Sequence, residues 1–161
     1  MAGELHLVAW SDDDAALLAA LNGDDAQMAH VGGAETAAKI AERQARYERD
    51  PGQFAIVAEG TRAGWVGFWP RAWRGAEVYE IGWSVLPAFQ GRGLASAATA
   101  LALQRVREEG RRRFVHAFPS VDNPASNALC RRLGFELLGE DEFEFPPGHS
   151  MRCNDWRFDV R

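Results

Sequence analysis

The stretch AEVYEIGWSVLPAFQGRGLASAATALALQRVREE, residues 76–109, changes its period partway along. Val78, Glu80, Gly82 and Ser84 alternate with Tyr79, Ile81, Trp83 and Val85, as in a strand, and Pro87 ends the pattern. From Leu94 onward small and apolar residues favour a helix, which Gly110 closes. Parallel strands of one sheet need a crossover, usually a helix, between them. The segment therefore suggests a mixed sheet with parallel pairing where a helix connects strands. Between strand and helix stand Gly91 and Gly93 around Arg92. A glycine inside a helix costs about 1 kcal/mol relative to alanine. Two of them at a helix entrance imply that the backbone itself is used.

The rest of the chain supplies the remainder of that sheet. ELHLVAW, residues 4–10, reads as a short strand; Ser11 is an N-cap with Asp12, Asp13 and Asp14 in the first turn of a helix that Asn22-Gly23 ends. Asp24 to Asp50 read as helical on both sides of a Gly32-Gly33 break. QFAIVAEG and AGWVGFWP alternate with period two and predict a hairpin about Gly60-Thr61-Arg62. Beyond the central segment, RRRFVHAFPS predicts a strand and NPASNALCRRLGF a helix capped by Gly134. FELLGEDEFEF and MRCNDWRFDV predict two strands around Pro146-Pro147-Gly148. The order β-α-α-β-β-β-α-β-α-β-β has no repeat or linker, so the expectation is one α/β (α+β) domain over residues 1–161: a mixed sheet flanked by helices.

Charge and cysteine usage exclude several classes of partner. The net charge of −5 provides no basic field for nucleic acid or anionic lipid. Nothing approaches 18 consecutive apolar residues, and the first residues lack a charged region leading into an apolar one. No membrane association and a cytoplasmic location are therefore expected. Cys130 and Cys153 have no metal-ligand spacing. Lys39 is the one lysine beside many arginines and alanines, which suggests a GC-rich bacterial source.

A helix N-terminus carries unpaired amides and partial positive charge, so it attracts anions. Glycines allow phosphate oxygens to reach the backbone. The donors here would be the amides of Gln90, Gly91, Arg92, Gly93, Leu94 and Ala95, with the Arg92 side chain and the Ser96 hydroxyl adding to them. A tight strand-to-helix turn without a ligand is the plainer reading. GRGLAS fits the dinucleotide fingerprint poorly, because five residues separate Val85 from Gly91 and the preceding chain is a hairpin sheet.

Val85-Leu86-Pro87-Ala88-Phe89-Gln90-Gly91-Arg92-Gly93-Leu94-Ala95 resembles the acyl-CoA motif of the GNAT superfamily of N-acyltransferases, V-x-P-x-x-[QR]-G-x-G-x-[GA]. Asn123, Ser126, Leu129, Gly134 and Phe135 are similar to a second element of that family. The wording is most similar to the branch containing ribosomal-protein N-terminal acetyltransferases. The resemblance implies a mostly antiparallel sheet with a central splayed parallel pair, and acetyl-CoA as cosubstrate. Its pantetheine arm would lie against backbone of Trp83 and Val85 and face Asn123 and Ser126. It implies direct transfer of an acetyl group to a primary amine, of a small molecule or a protein N-terminus, with Glu80 as base and Ser120 positioning water or receiving the thiol. Where many relatives carry an acidic tyrosine, seven residues after the asparagine, this chain has Cys130. That departure keeps open a non-catalytic acyl-CoA-binding module. Arg131, Arg132 or the Arg111-Arg112-Arg113 run would meet the coenzyme's 3′-phosphate. Trp65, Trp69, Trp73, Trp83 and Trp156 would line an acceptor pocket. The aromatics of Trp69, Trp73 and the last strand, expected near sheet edges, suggest a homodimer.

Overall fold

Two-residue turns with left-handed backbone, Glu59-Gly60 and Arg74-Gly75, join three successive strands. Turns of this hand match the twist of the strands they connect. In the computed structural model, which describes residues 4–144 and 147–161, these strands are β2 (Gln53–Ala58), β3 (Thr61–Trp73) and β4 (Ala76–Val85). The first turn falls one residue earlier than expected, and β3 continues through Pro70. Phe68 donates its amide to Gly52, just outside β2, so by alternation position 70 points the same way, past the end of that strand. The missing N–H of Pro70 therefore breaks no ladder.

The first strand is β1 (Leu5–Ala9), and the last three are β5 (Phe114–Ala117), β6 (Glu136–Glu144) and β7 (Ser150–Asp159). All seven form one sheet in the order β1-β2-β3-β4-β5-β7-β6. Only β4 and β5 are parallel, paired at Tyr79 with Val115 and at Glu80 with His116. The mixed, mostly antiparallel architecture is the one expected. The strand predicted over 111–120 shrinks to its middle, leaving Ser120 in an isolated bridge to Cys153. Pro146 of the predicted turn lies outside the described residues.

Helices cover both faces. On one, α3 (Leu94–Glu109) and α4 (Pro124–Leu133) bury Ala98, Ala102, Leu103, Val106 and Cys130 against Val66, Phe68, Tyr79, Ile81 and Val115. On the other, α1 (Ala15–Asn22) and α2 (Ala37–Arg49) bury Leu17, Leu18, Leu21 and Tyr47 against Trp10 and Ala55. Leu18 and Leu21 are each 1% exposed; full burial of a leucine contributes about 1.5–3 kcal/mol. Among the described residues no helix is long and apolar enough to cross a membrane.

Two expectations are corrected here. Before the Gly32-Gly33 break the expected helix is reduced to turns and one 3-10 turn, Ala29–Val31: the Asp24 and Asp25 carboxylates accept from the amides of Ala26 and Ala34 and hold a looped wall instead. The tryptophans do not sit at sheet edges either. β3 and β7 are interior strands, Trp10 and Trp156 are in the core, and Trp65, Trp69 and Trp83 face a cleft.

Candidate active site

β4 and β5 pair at only two positions, so beyond Glu80 the strands part. Leu86 donates to the Ala63 carbonyl at 2.8 Å and so faces β3. By alternation the amides and carbonyls of Trp83 and Val85 face the opposite way, into the opening. The Val85 carbonyl is already in use: Gln27 Nε2 donates to it at 2.7 Å and Gln90 Nε2 at 3.0 Å. Gln27 also donates to Ser84 Oγ at 3.1 Å. Sequence reasoning missed Gln27 because no local pattern ties residue 27 to residue 85.

The glycine turn follows. Gly91 and Gly93 have φ of +77° and +75°, a region that disfavours side chains, although a Cβ on either would meet open space. Conformation, not crowding, therefore requires glycine here. The first α3 bond runs from Ala97 N to Gly93 O at 3.1 Å. The amides of Leu94, Ala95 and Ser96 accordingly lie in the helix's first turn, without acceptors from a preceding turn. The Arg92 guanidinium sits 5.4 Å from the Phe89 ring centroid, beside the turn. Arg132 Nη2 donates to Ser96 Oγ at 2.7 Å, which brings a second cation to the same place.

The other arginines are elsewhere. Arg131 lies over Trp156. The Arg111-Arg112-Arg113 run follows the far end of α3, whose 16 residues rise about 24 Å. There Arg112 bonds the Val78 carbonyl and Glu77, and Arg113 pairs with Asp159. Arg112 and Arg113 are thus engaged at the end of α3 away from the glycine turn, whereas Arg132 lies beside it.

Asn123 caps α4: its Oδ1 accepts from the Ser126 amide at 3.2 Å, and the residue also lines the cleft. Ser126 takes part through its backbone. Ser120 Oγ accepts from the Asp122 amide at 3.2 Å and its carbonyl accepts from Asn127 Nδ2 at 3.0 Å. It is buried at the isolated bridge to Cys153 and is not among the residues lining the cleft. Asn127, which sequence reasoning passed over, joins Ser120 to Asn154 and Trp156 Nε1 at 2.8 and 2.9 Å. Cys130 is wholly buried, and burial pushes its thiol up to about 12.

A cleft of about 750 Å³ opens on the face covered by α1 and α2. Its chemistry centres on Glu80, whose carboxylate pairs through Oε1 with Arg71 and whose side chain is 20% exposed. The Arg71 guanidinium is held 5.0, 4.9 and 5.3 Å from the ring centroids of Trp73, Phe118 and Phe143. This cradle fixes the cation, and the cation orients the carboxylate. Burial raises the proton affinity of Glu80 above the ordinary carboxylate value of 4.5, against the opposing pull of Arg71. Next to it, His116 Nδ1 lies 2.6 Å from Asp155 Oδ1, and Trp73 Nε1 donates to Asp155 Oδ2 at 3.0 Å. Arg71 was missed, although the register of the Arg74-Gly75 turn places it diagonally across from Glu80 on one face.

The family model described as acetyltransferase (GNAT) domain matches residues 4–136. A mycothiol acetyltransferase from Mycolicibacterium gilvum is 36% identical over 116 residues; the match covers 68% of this chain and 38% of that protein, so this chain spans well under half of that curated relative. An acetyltransferase of the GNAT family from Bacillus anthracis superposes with a TM-score of 0.80 at 19% identity, covering 99% of this chain and 97% of that one. A ribosomal α-N-protein acetyltransferase in complex with coenzyme A superposes with a TM-score of 0.74 at 21% identity, covering 96% and 93%. With five-sixths of its length inside the family model and its motif residues placed on the opening between β4 and β5, this chain belongs to the GNAT acetyltransferase family.

Proposed function

We propose that this chain transfers an acetyl group from acetyl-CoA directly to a primary amine, with no covalent enzyme intermediate. The observation that carries the reading is the meeting of two openings at Glu80: the gap between β4 and β5, and the cleft beneath α1 and α2. The pyrophosphate would rest on the amides of 91–96, with Arg92 and Arg132 adding charge. The pantetheine would pair with the inward-facing backbone of Trp83 and Val85 as if it were a strand, and Asn123 would face it.

In the chemical step the amine nitrogen attacks the thioester carbonyl, forming C–N as C–S breaks. The amine's proton passes through a water to Glu80, which Arg71 holds in place. The thiolate takes its proton from solvent, since Cys130 is sealed in the core. Incubation with acetyl-CoA and an amine panel tests this: release of free thiol only when an amine is present supports transfer. Tight acetyl-CoA binding without amine-dependent thiol release would instead favour a sensing module.

Assembly as a twofold homodimer belongs to the same reading. It is supported by the edge strand β6, where Leu137 and Leu138 are 48% and 43% exposed. A constant mass near 17.8 kDa across a hundredfold dilution in light scattering would sink it.

A further inference from the structure

Resting on the transfer reading, we propose that the acceptor is an arylalkylamine, a primary amine joined by a short linker to a flat apolar ring. The cleft floor carries this inference. Tyr47 and Trp65 stack with centroids 5.5 Å apart and planes at 7°, and Trp65 and Trp69 continue the stack at 6.2 Å and 22°. The indoles lie against β4 because Gly82 has no side chain: a Cβ there would sit 2.9 Å from Trp65 and 3.3 Å from Trp69. Trp69 is directly opposite Glu80 in the register. A ring resting on the floor beside Trp69 therefore places an amine one short linker away from the base.

Several polar groups that border these rings are already committed to one another. Trp65 Nε1 donates to Gln53 Oε1 at 2.8 Å, and Gln53 Nε2 to Asp50 Oδ2 at 3.0 Å. Arg43 donates to Glu35 at 2.9 and 2.5 Å and to the Tyr47 hydroxyl at 3.4 Å. Within the stack of Tyr47, Trp65 and Trp69, Trp69 Nε1 has no protein partner among the described residues. An aminosugar or a peptide would lose water from many hydroxyls or amides and regain few bonds. A flat ring loses none and gains burial and stacking. The incoming ammonium is also favoured by the indole face and by the Glu80 carboxylate. The ammonium first loses one proton to solvent; the neutral nitrogen then forms the amide bond as the thioester C–S bond breaks, its second proton passing through water to Glu80, and the departing thiolate takes a proton from solvent.

The test offers the full chain acetyl-CoA with 2-phenylethylamine, glucosamine or a tetrapeptide beginning in serine. The expected result is a kcat/KM for 2-phenylethylamine at least tenfold above either competitor. Trp69→Ala should raise its KM at least tenfold while kcat stays within twofold, and Trp69→Phe should restore most of the loss. Equal or better turnover of glucosamine or peptide overturns the acceptor class and leaves transfer standing. Saturation-transfer NMR of 2-phenylethylamine with the unmodified protein and coenzyme A gives a readout independent of turnover and of variant folding. Binding without transfer to any amine sinks the transfer reading alone; no binding sinks the acceptor class.

Discussion

The glycine turn and the cleft at Glu80 are built from different materials. At the turn the working groups are backbone amides, set by two glycines in left-handed conformation over residues 91–96. In the cleft they are side chains from β3, β4 and α2, with Arg71 held by rings from β3, β6 and the segment after β5. A backbone site depends on conformation within a few residues, whereas a side-chain site depends on register between strands distant in sequence. The first is broken by a change of φ, the second by the loss of one functional group.

The sharpest way to separate them is Glu80→Gln. It should lower kcat/KM about 10²-fold and leave acetyl-CoA affinity within twofold by calorimetry; a parallel loss of affinity would place Glu80 in the cosubstrate site instead. Gly93→Val should do the reverse. Forcing a β-branched residue to φ near +75° disturbs the amides, and acetyl-CoA affinity should fall about tenfold, or about 1.4 kcal/mol. Unchanged affinity in a folded variant would remove the anion site.

A smaller effect reads the electrostatics of the cleft. Glu80 acts deprotonated, and burial holds its proton affinity above 4.5, so kcat/KM should fall with decreasing pH at an acid limb above that value. Arg71 opposes the shift, so Arg71→Gln should move the limb higher still and cost several-fold in rate on that limb. A limb that stays put or moves down would show that Arg71 does not set the charge of Glu80. Smallest of all, Cys130→Ala should remove buried volume and lower stability by about 1 kcal/mol in denaturant melts, with kcat/KM unchanged. A large loss of rate would return Cys130 to the chemistry.

This contrast explains what could be read from the chain alone. Alternation in 76–85, the glycine pair and the Asn123-Pro124 cap are local signals, and they located β4, the turn and α4 correctly. Glu80 was singled out, but its partner was not, because Arg71 joins it only through a hairpin register. That register was written in Arg74-Gly75 and went unused. Residues 24–34 misled for the opposite reason: their composition suits a helix, while Asp24 and Asp25 bond to nearby amides and hold a loop. The tryptophans misled because six such residues suggest an outer apolar patch, whereas Trp10 and Trp156 are in the core and Trp65, Trp69 and Trp83 line the cleft.

The bond from Gln27 to the Val85 carbonyl has a kinetic consequence. Gln27 belongs to the looped wall of the acceptor cleft, while Val85 O faces the gap that the cosubstrate would fill. A ligand that claims this carbonyl must first displace Gln27, a loss of about 0.5–1.5 kcal/mol per neutral bond. On the proposed reading, occupancy on one side of Glu80 would loosen the wall on the other, so the two substrates would not enter independently. Such a latch would favour a sequential order of addition with the cosubstrate leading, the amine then meeting a cleft reshaped by release of Gln27.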